Sequence, residues 1–218
     1  MSIFKILQKP MNFLAHIYLS GDSRELLIGN FIGDYVKGKD YEKYPPGVQE
    51  GILLHRKIDL FTDSHIITRN ARNLVREQYG LYSGIVVDIF YDHFLSANWD
   101  VYCDMPLRTY VRDRYRILDS GFSIFPAGVK AWFPYFIKSN WLEAYTTFHG
   151  LIMVFKRMSY RTSLPDYSEY AVAKLQEHYE VMKEYFRVFF DEIRDYVGKE
   201  YQIEYKGMNL ERDREVSS

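Results

Sequence analysis

The chain has 218 residues, of which 47% are hydrophobic, and a formal net charge of -1. That length and apolar content suffice for one self-supporting domain, and the near-zero charge excludes recruitment of nucleic acid by a global field. The single cysteine, Cys103, excludes an internal disulfide and any cysteine-built zinc site.

The opening MSIFKILQKP has no long apolar region and no small-residue cleavage site, so it does not read as a signal peptide. No apolar run approaches the roughly 20 residues needed to cross a bilayer. A soluble protein of the reducing cytoplasm is expected. Residues 1–10 read as an extension preceding a helical domain over 11–198, and residues 199–218 as a charged, frayed tail.

Helical periodicity runs through nearly the whole chain. Asn12 is placed to cap a short first helix carrying Phe13, Leu14 and Ile17. Asp22 and Ser23 begin a second helix, through Leu26, Leu27, Phe31 and Tyr35, that stops at Gly38. Pro45, Pro46 and Gly47 introduce a third, which contains GILLHRKIDLFTDSH, Gly51 to His65. A fourth follows His65 and ends at Gly80, with Arg69, Arg72 and Arg76 along it. Ser83 is placed to cap a fifth, reaching about Trp99, and Asp104 and Pro106 open a sixth whose Arg108, Arg112 and Arg116 recur every four residues. Between Gly121 and Pro134 turns around one short helix are expected. Asn140 is placed to cap a helix through Phe155, and Pro165 and Asp166 launch the longest run, closed by Gly198. No alternating strand pattern occurs, and the expected architecture is an all-α, single-domain helical bundle.

Three of these helices carry acids or histidines inside apolar stripes. His55 and Asp59 lie four apart and therefore share a face; Asn30 and Asp34 share another with Leu26; Asp88 and Asp92 pair on the fifth helix, followed at once by His93. Such groups turned inward need partners, either one another or a divalent metal. Asp34, His55, Asp59, Asp88, Asp92 and His16 are the candidate metal ligands, drawn from an inventory that also includes Asp63 and His65. Oxygen and imidazole donors without thiolate suit manganese, iron, magnesium or zinc. A metal beside basic residues suits phosphoester hydrolysis, with His93 and Arg56 as catalytic candidates and Lys37 and Arg56 as cations to offset phosphate charge. No GxSxG elbow, Walker loop or GxGxxG fingerprint is present.

The segments MNFLAHIYLS (Met11 to Ser20), GNFIGDYVKG (Gly29 to Gly38), GILLHRKIDLFTDSH and DIFYDHFLSANW (Asp88 to Trp99), in that order, resemble the acyl carrier protein phosphodiesterases. The resemblance implies a metal-dependent, typically manganese-using hydrolase that cleaves the phosphodiester between 4′-phosphopantetheine and a carrier serine, on an HD-like all-helical fold. It carries over to Asp34, His55, Asp59 and Asp92, with His16 as the isolated first histidine. The His-Asp doublet of HD-type enzymes is absent; the reversed Asp92-His93 is its nearest counterpart. It also implies an acidic carrier protein as partner, for which the arginines of the fourth helix, Arg69 and Arg72 among them, offer a docking face. A nucleotide or other small phosphoester as substrate, or a non-catalytic helical interaction module, are the competing readings. Oligomeric state stays open.

Overall fold

The structure, a computed structural model, describes residues 12–205. The expected N-terminal extension and the tail beyond residue 205 lie outside the described residues. Among those described, every regular element is helical, and no helix is long and apolar enough to cross a membrane.

The short α1 (Phe13–Leu19) is buried along its whole length. Its first amides are satisfied from a distance: Leu14 N–H and Ala15 N–H donate to the two carboxylate oxygens of Asp92, at 3.0 and 2.8 Å, while Asn12 makes no side-chain cap. The expected local cap is thus replaced by a carboxylate 78 positions away.

Helix α2 (Arg24–Ile32) is capped by Ser23, whose hydroxyl accepts from Leu26 N–H. It ends six residues earlier than periodicity suggests and tightens into a 3₁₀ turn, Gly33–Tyr35. Helix α3 (Pro46–Ser64) begins with proline in its first turn, as expected. These two helices touch at their backbones. A Cβ on Gly29 would lie 2.1 Å from Val48 O, and one on Gly51 would lie 2.4 Å from Leu26 O.

Beyond His65 one expected helix becomes α4 (Ile66–Asn73) and α5 (Arg76–Tyr79), followed by a 3₁₀ turn at Gly80–Tyr82. Then come α6 (Ser83–Ala97), α7 (Trp99–Tyr102), α8 (Leu107–Ser120), α9 (Ala127–Lys130), α10 (Phe133–Lys138), α11 (Trp141–Ala144) and α12 (Phe148–Arg161). Thr147, not Asn140, caps α12: its hydroxyl accepts from Gly150 N–H, while Asn140 sits in the left-handed region at φ 47°. The long final run divides at His178 into α13 (Ser168–Glu177) and α14 (Tyr179–Tyr201).

Helix α14 passes through Gly198 rather than stopping there. It closes with Gln202 in the left-handed region, and Ile203 N–H donates to Gly198 O, the six-to-one bond of a Schellman motif. The chain after it packs back on the body, with Tyr205 Oη donating to Leu19 O at 3.0 Å. The expected fraying from residue 199 is therefore corrected for residues 199–205. Aromatic rings fill the space between helices: Phe31 meets Phe13, Phe133 and Phe136, while Tyr91 stacks on Phe189.

Replacing Gly51 with alanine forces α2 and α3 apart against backbone rather than against a flexible side chain. We expect a loss of about 2 kcal/mol, read as a fall in Tm of roughly 4–8 °C. Gly84→Ala, whose Cβ would meet only the Arg72 side chain at 3.3 Å, is the control and should melt near the parent.

Candidate metal centre

The backbone contact between α2 and α3 decides which side chains face each other. Gly33 lies against the imidazole of His55; a Cβ there would sit 2.3 Å from the ring's Cγ. The turn that starts at this glycine swings Asp34 over the same ring. His55 Nε2 lies 3.3 Å from Asp34 Oδ1 and 3.6 Å from Asp59 Oδ2, one helical turn along α3. From α1, His16 places its Nε2 3.4 Å from Asp59 Oδ1. The two imidazoles face each other with ring centres 4.5 Å apart. Four side chains, from α1, α3 and the turn after α2, thus converge.

Asp34, His55 and Asp59 each bring a ligand atom to within 4.8 Å of the others. The buried Nε2 of His55 makes no hydrogen bond, although carboxylate oxygens surround it. Oxygens and nitrogens bound about 2.1 Å from one octahedral ion stand roughly 3 Å from each other. The spacings among Asp34, His55 and Asp59 fit co-ligands of a single divalent cation, with His16 joined to them through Asp59. Burial is graded across the group: His55 is 2% exposed, Asp34 11% and Asp59 29%. The cluster opens to solvent on the Asp59 side.

One further turn along α3, Asp63 carries the same face outward and lines a groove of about 740 Å³ together with Arg69, Arg72, Arg76 and Leu81. Arg72 donates to Asp63 Oδ1 and Arg69 to Ser64 O. Three guanidinium groups set against one carboxylate make this a basic surface adjoining the cluster.

The family profile described as acyl carrier protein phosphodiesterase matches residues 11–193. The chain belongs to that family. Curated relatives named acyl carrier protein phosphodiesterase include one from Salmonella paratyphi A, 33% identical over 83% of this chain and 94% of its own. Another, from Salmonella agona (strain SL483), is 32% identical over the same shares. No solved structure matches the chain significantly.

In this member of the phosphodiesterase family the remaining expected residues are not among the groups that converge there. Asp92, expected as a ligand, is fully buried and is not part of the Asp34, His55 and Asp59 group: its two oxygens accept from the α1 amides, and the Tyr145 hydroxyl hydrogen-bonds it as well. Asp88, buried one turn earlier on α6, also falls outside the convergent group. His93, expected to be catalytic, is held in an aromatic pocket. Its Nδ1–H donates to Tyr145 O at 2.8 Å, and its Nε2 lies 3.2 Å from the Tyr179 hydroxyl. Burial pushes its pKa down, partly opposed by the bond to Tyr145. The ligating atoms of the Asp92-His93 doublet are thus committed to different partners, Asp92 to the α1 amides and His93 to Tyr145 O and the Tyr179 hydroxyl.

Arg56 donates to Val36 O and Gly38 O and stacks over Tyr41; it ties down the loop after Asp34 rather than facing a reacting group. Lys37 is exposed on that loop. His65 caps α4 and contacts Glu192, and Asp63 pairs with Arg72.

Sequence reasoning missed the function of Asn30, which contacts both cluster histidines through one oxygen. Its signal was there: a fully polar amide four residues before Asp34 inside LLIGNFI.

Burial pushes the Asp92 carboxyl from the ordinary 3.8 up to about 7, against the two amides and His16, which favour the charged form. Because this folded value exceeds the unfolded one, the folded protein keeps a proton that the unfolded chain releases. This group's contribution to stability is full below about pH 4 and is lost as pH rises toward 7. Denaturant midpoints measured from pH 4 to 8 are expected to decline, and Asp92→Asn should flatten the decline. Asp92→Ala leaves two buried amides without an acceptor, at a cost of about 2–4 kcal/mol in the same measurement.

Proposed function

We propose that this protein is a manganese-dependent hydrolase of the cytoplasm that releases 4′-phosphopantetheine from the serine of holo acyl carrier protein. Water adds to phosphorus, the bond from phosphorus to the serine oxygen breaks, and that oxygen takes up a proton. The products are the apo carrier and a phosphomonoester. The carrying observation is the buried Nε2 of His55, without a hydrogen bond and facing carboxylates of Asp34 and Asp59 at 3.3 and 3.6 Å. Membership of the phosphodiesterase family and the names of the relatives support the same reading.

His16, Asp34, His55 and Asp59 would hold the ion. When bound, it supplies positive charge to the phosphoryl oxygens and lowers the pKa of water. Asp59, the most exposed of the four, faces the incoming phosphodiester. Lys37, three residues past Asp34, is assigned to the phosphate and Arg56 to holding the loop that carries it.

The chemistry also limits where the carrier docks. The broken bond lies at the carrier's own serine, not at the far end of a long arm, so the carrier surface must come within a few ångströms of the cluster. The arginine groove begins one helical turn, about 6 Å, beyond Asp59. Arg69, Arg72 and Arg76 there complement an acidic protein.

Holo acyl carrier protein incubated with the protein and Mn²⁺ should lose the mass of its prosthetic arm, and chelation should stop the reaction. His55→Ala is expected to lower the rate by roughly a thousandfold, about 4 kcal/mol of barrier, with helical circular dichroism unchanged. Full activity after exhaustive chelation would remove the metal from the proposal.

Arg69→Glu combined with Arg76→Glu is expected to raise KM for the carrier about tenfold or more with kcat nearly unchanged. Hydrolysis of a small aryl phosphodiester should be unaffected. An unchanged KM would move the docking face elsewhere.

A further inference from the structure

The two histidines of the cluster come from different helices, yet they share one partner. Asn30, fully buried on α2, turns its side-chain oxygen to His16 Nδ1 at 2.6 Å and to His55 Nδ1 at 3.3 Å. Which way an amide faces is settled by its neighbours. Asn30 Nδ2 lies 2.9 Å from His16 O, a carbonyl that can only accept. It also lies 2.9 Å from Ser20 Oγ, whose own proton is committed to His16 O at 2.8 Å. Both Nδ2 hydrogens are therefore used, and the atom facing the two rings is the oxygen.

An oxygen with two lone pairs and no hydrogen can only accept, so both Nδ1 atoms must donate to it. A neutral ring that carries its proton on Nδ1 keeps a bare lone pair on Nε2. Those two Nε2 atoms are the ones aimed at Asp34 and Asp59, at 3.3–3.6 Å.

Resting on the metal reading above, we propose that Asn30 is the positioning residue of this centre: one amide oxygen fixes both His16 and His55 as Nδ1–H tautomers and so presents both Nε2 lone pairs to the same cation. Two histidines that would each need its own orienting group are served by a single atom, and the donors on the other side of the amide lock it to the last turn of α1. The arrangement also makes the spacing of α1, α2 and α3 a determinant of metal affinity, since the oxygen reaches both rings only while the three helices stay packed. Outer-sphere partners of metal-ligating histidines typically govern affinity by about 10–100-fold.

The test begins with the metal-free wild-type chain at pH 8, uniformly labelled with ¹⁵N. Long-range ¹H–¹⁵N spectra separate the two neutral tautomers and the doubly protonated ring, and single His16→Gln and His55→Gln variants assign the signals. We expect both rings as Nδ1–H. A ring at either histidine whose Nδ1 carries no proton overturns the proposal. This readout needs no metal, so Nδ1–H rings in a protein that binds no Mn²⁺ would sink the metal reading and leave the role of Asn30 standing.

Two variants extend the test. Asn30→Asp keeps an oxygen for both rings but loses the donors to His16 O and Ser20 Oγ; Asn30→Leu keeps the bulk and loses the oxygen. With Mn²⁺ affinity measured by calorimetry, Asn30→Leu should bind about 10–100-fold more weakly and Asn30→Asp within about tenfold of wild type, whichever of the two melts lower. Equal affinity in the leucine variant would reduce Asn30 to packing. If the leucine variant does not fold, the wild-type tautomers still decide.

Discussion

The polar cluster depends on two helix backbones being free to touch. Gly29 and Gly51 remove the side chains that would hold α2 and α3 apart, and Gly33 extends the contact by leaving room for the His55 ring. Only with the helices this close can an amide on α2 reach an imidazole on α3, and only then does the turn after α2 carry Asp34 over the same ring. An alanine's worth of separation would turn a convergent cluster into isolated polar groups in a core, each with its own desolvation cost. The chemistry and the helix packing are in this sense one constraint.

A second set of buried polar groups sustains the first without joining it. Helix α6 is buried on nearly every side, and its Asp92 supplies acceptors to the orphan amides at the start of α1. Because α1 is only seven residues long, it has little intrinsic stability; its position, and with it that of His16, rests on that distant carboxylate. His93 next to it is committed to Tyr145 and Tyr179. Acids and histidines in apolar helices therefore meet two fates here. Asp92 and His93 of α6 are consumed by backbone and hydroxyl partners, and those of α1, α3 and the turn after α2 leave nitrogen and oxygen atoms facing one another.

Helix α3 links this interior to the outside. His55, Asp59 and Asp63 succeed one another at single-turn intervals from a sealed position through a half-open one to the rim of the arginine groove. A substrate whose reacting bond lies on the surface of a folded protein needs such a path, short and charged, rather than a deep pocket. Hydrolysis of a buried small ester would call for the opposite shape.

The sequence by itself determined the features that local geometry dictates. Helical periodicity, proline at the start of α3, the pairing of His55 with Asp59 at a four-residue interval and the order of the family segments each depend on residues close together in the chain. Tertiary structure alone decided the ends of α2, the breaks near Val75 and at His178, the remote cap on α1, the exclusion of Asp88, Asp92 and His93 from the cluster, and the shared oxygen of Asn30. The physical reason is that a helix apolar on all sides has no polar face to indicate where an inserted acid points. Its direction is set by whichever unsatisfied donor another helix brings to it, and that donor is fixed only when the helices pack.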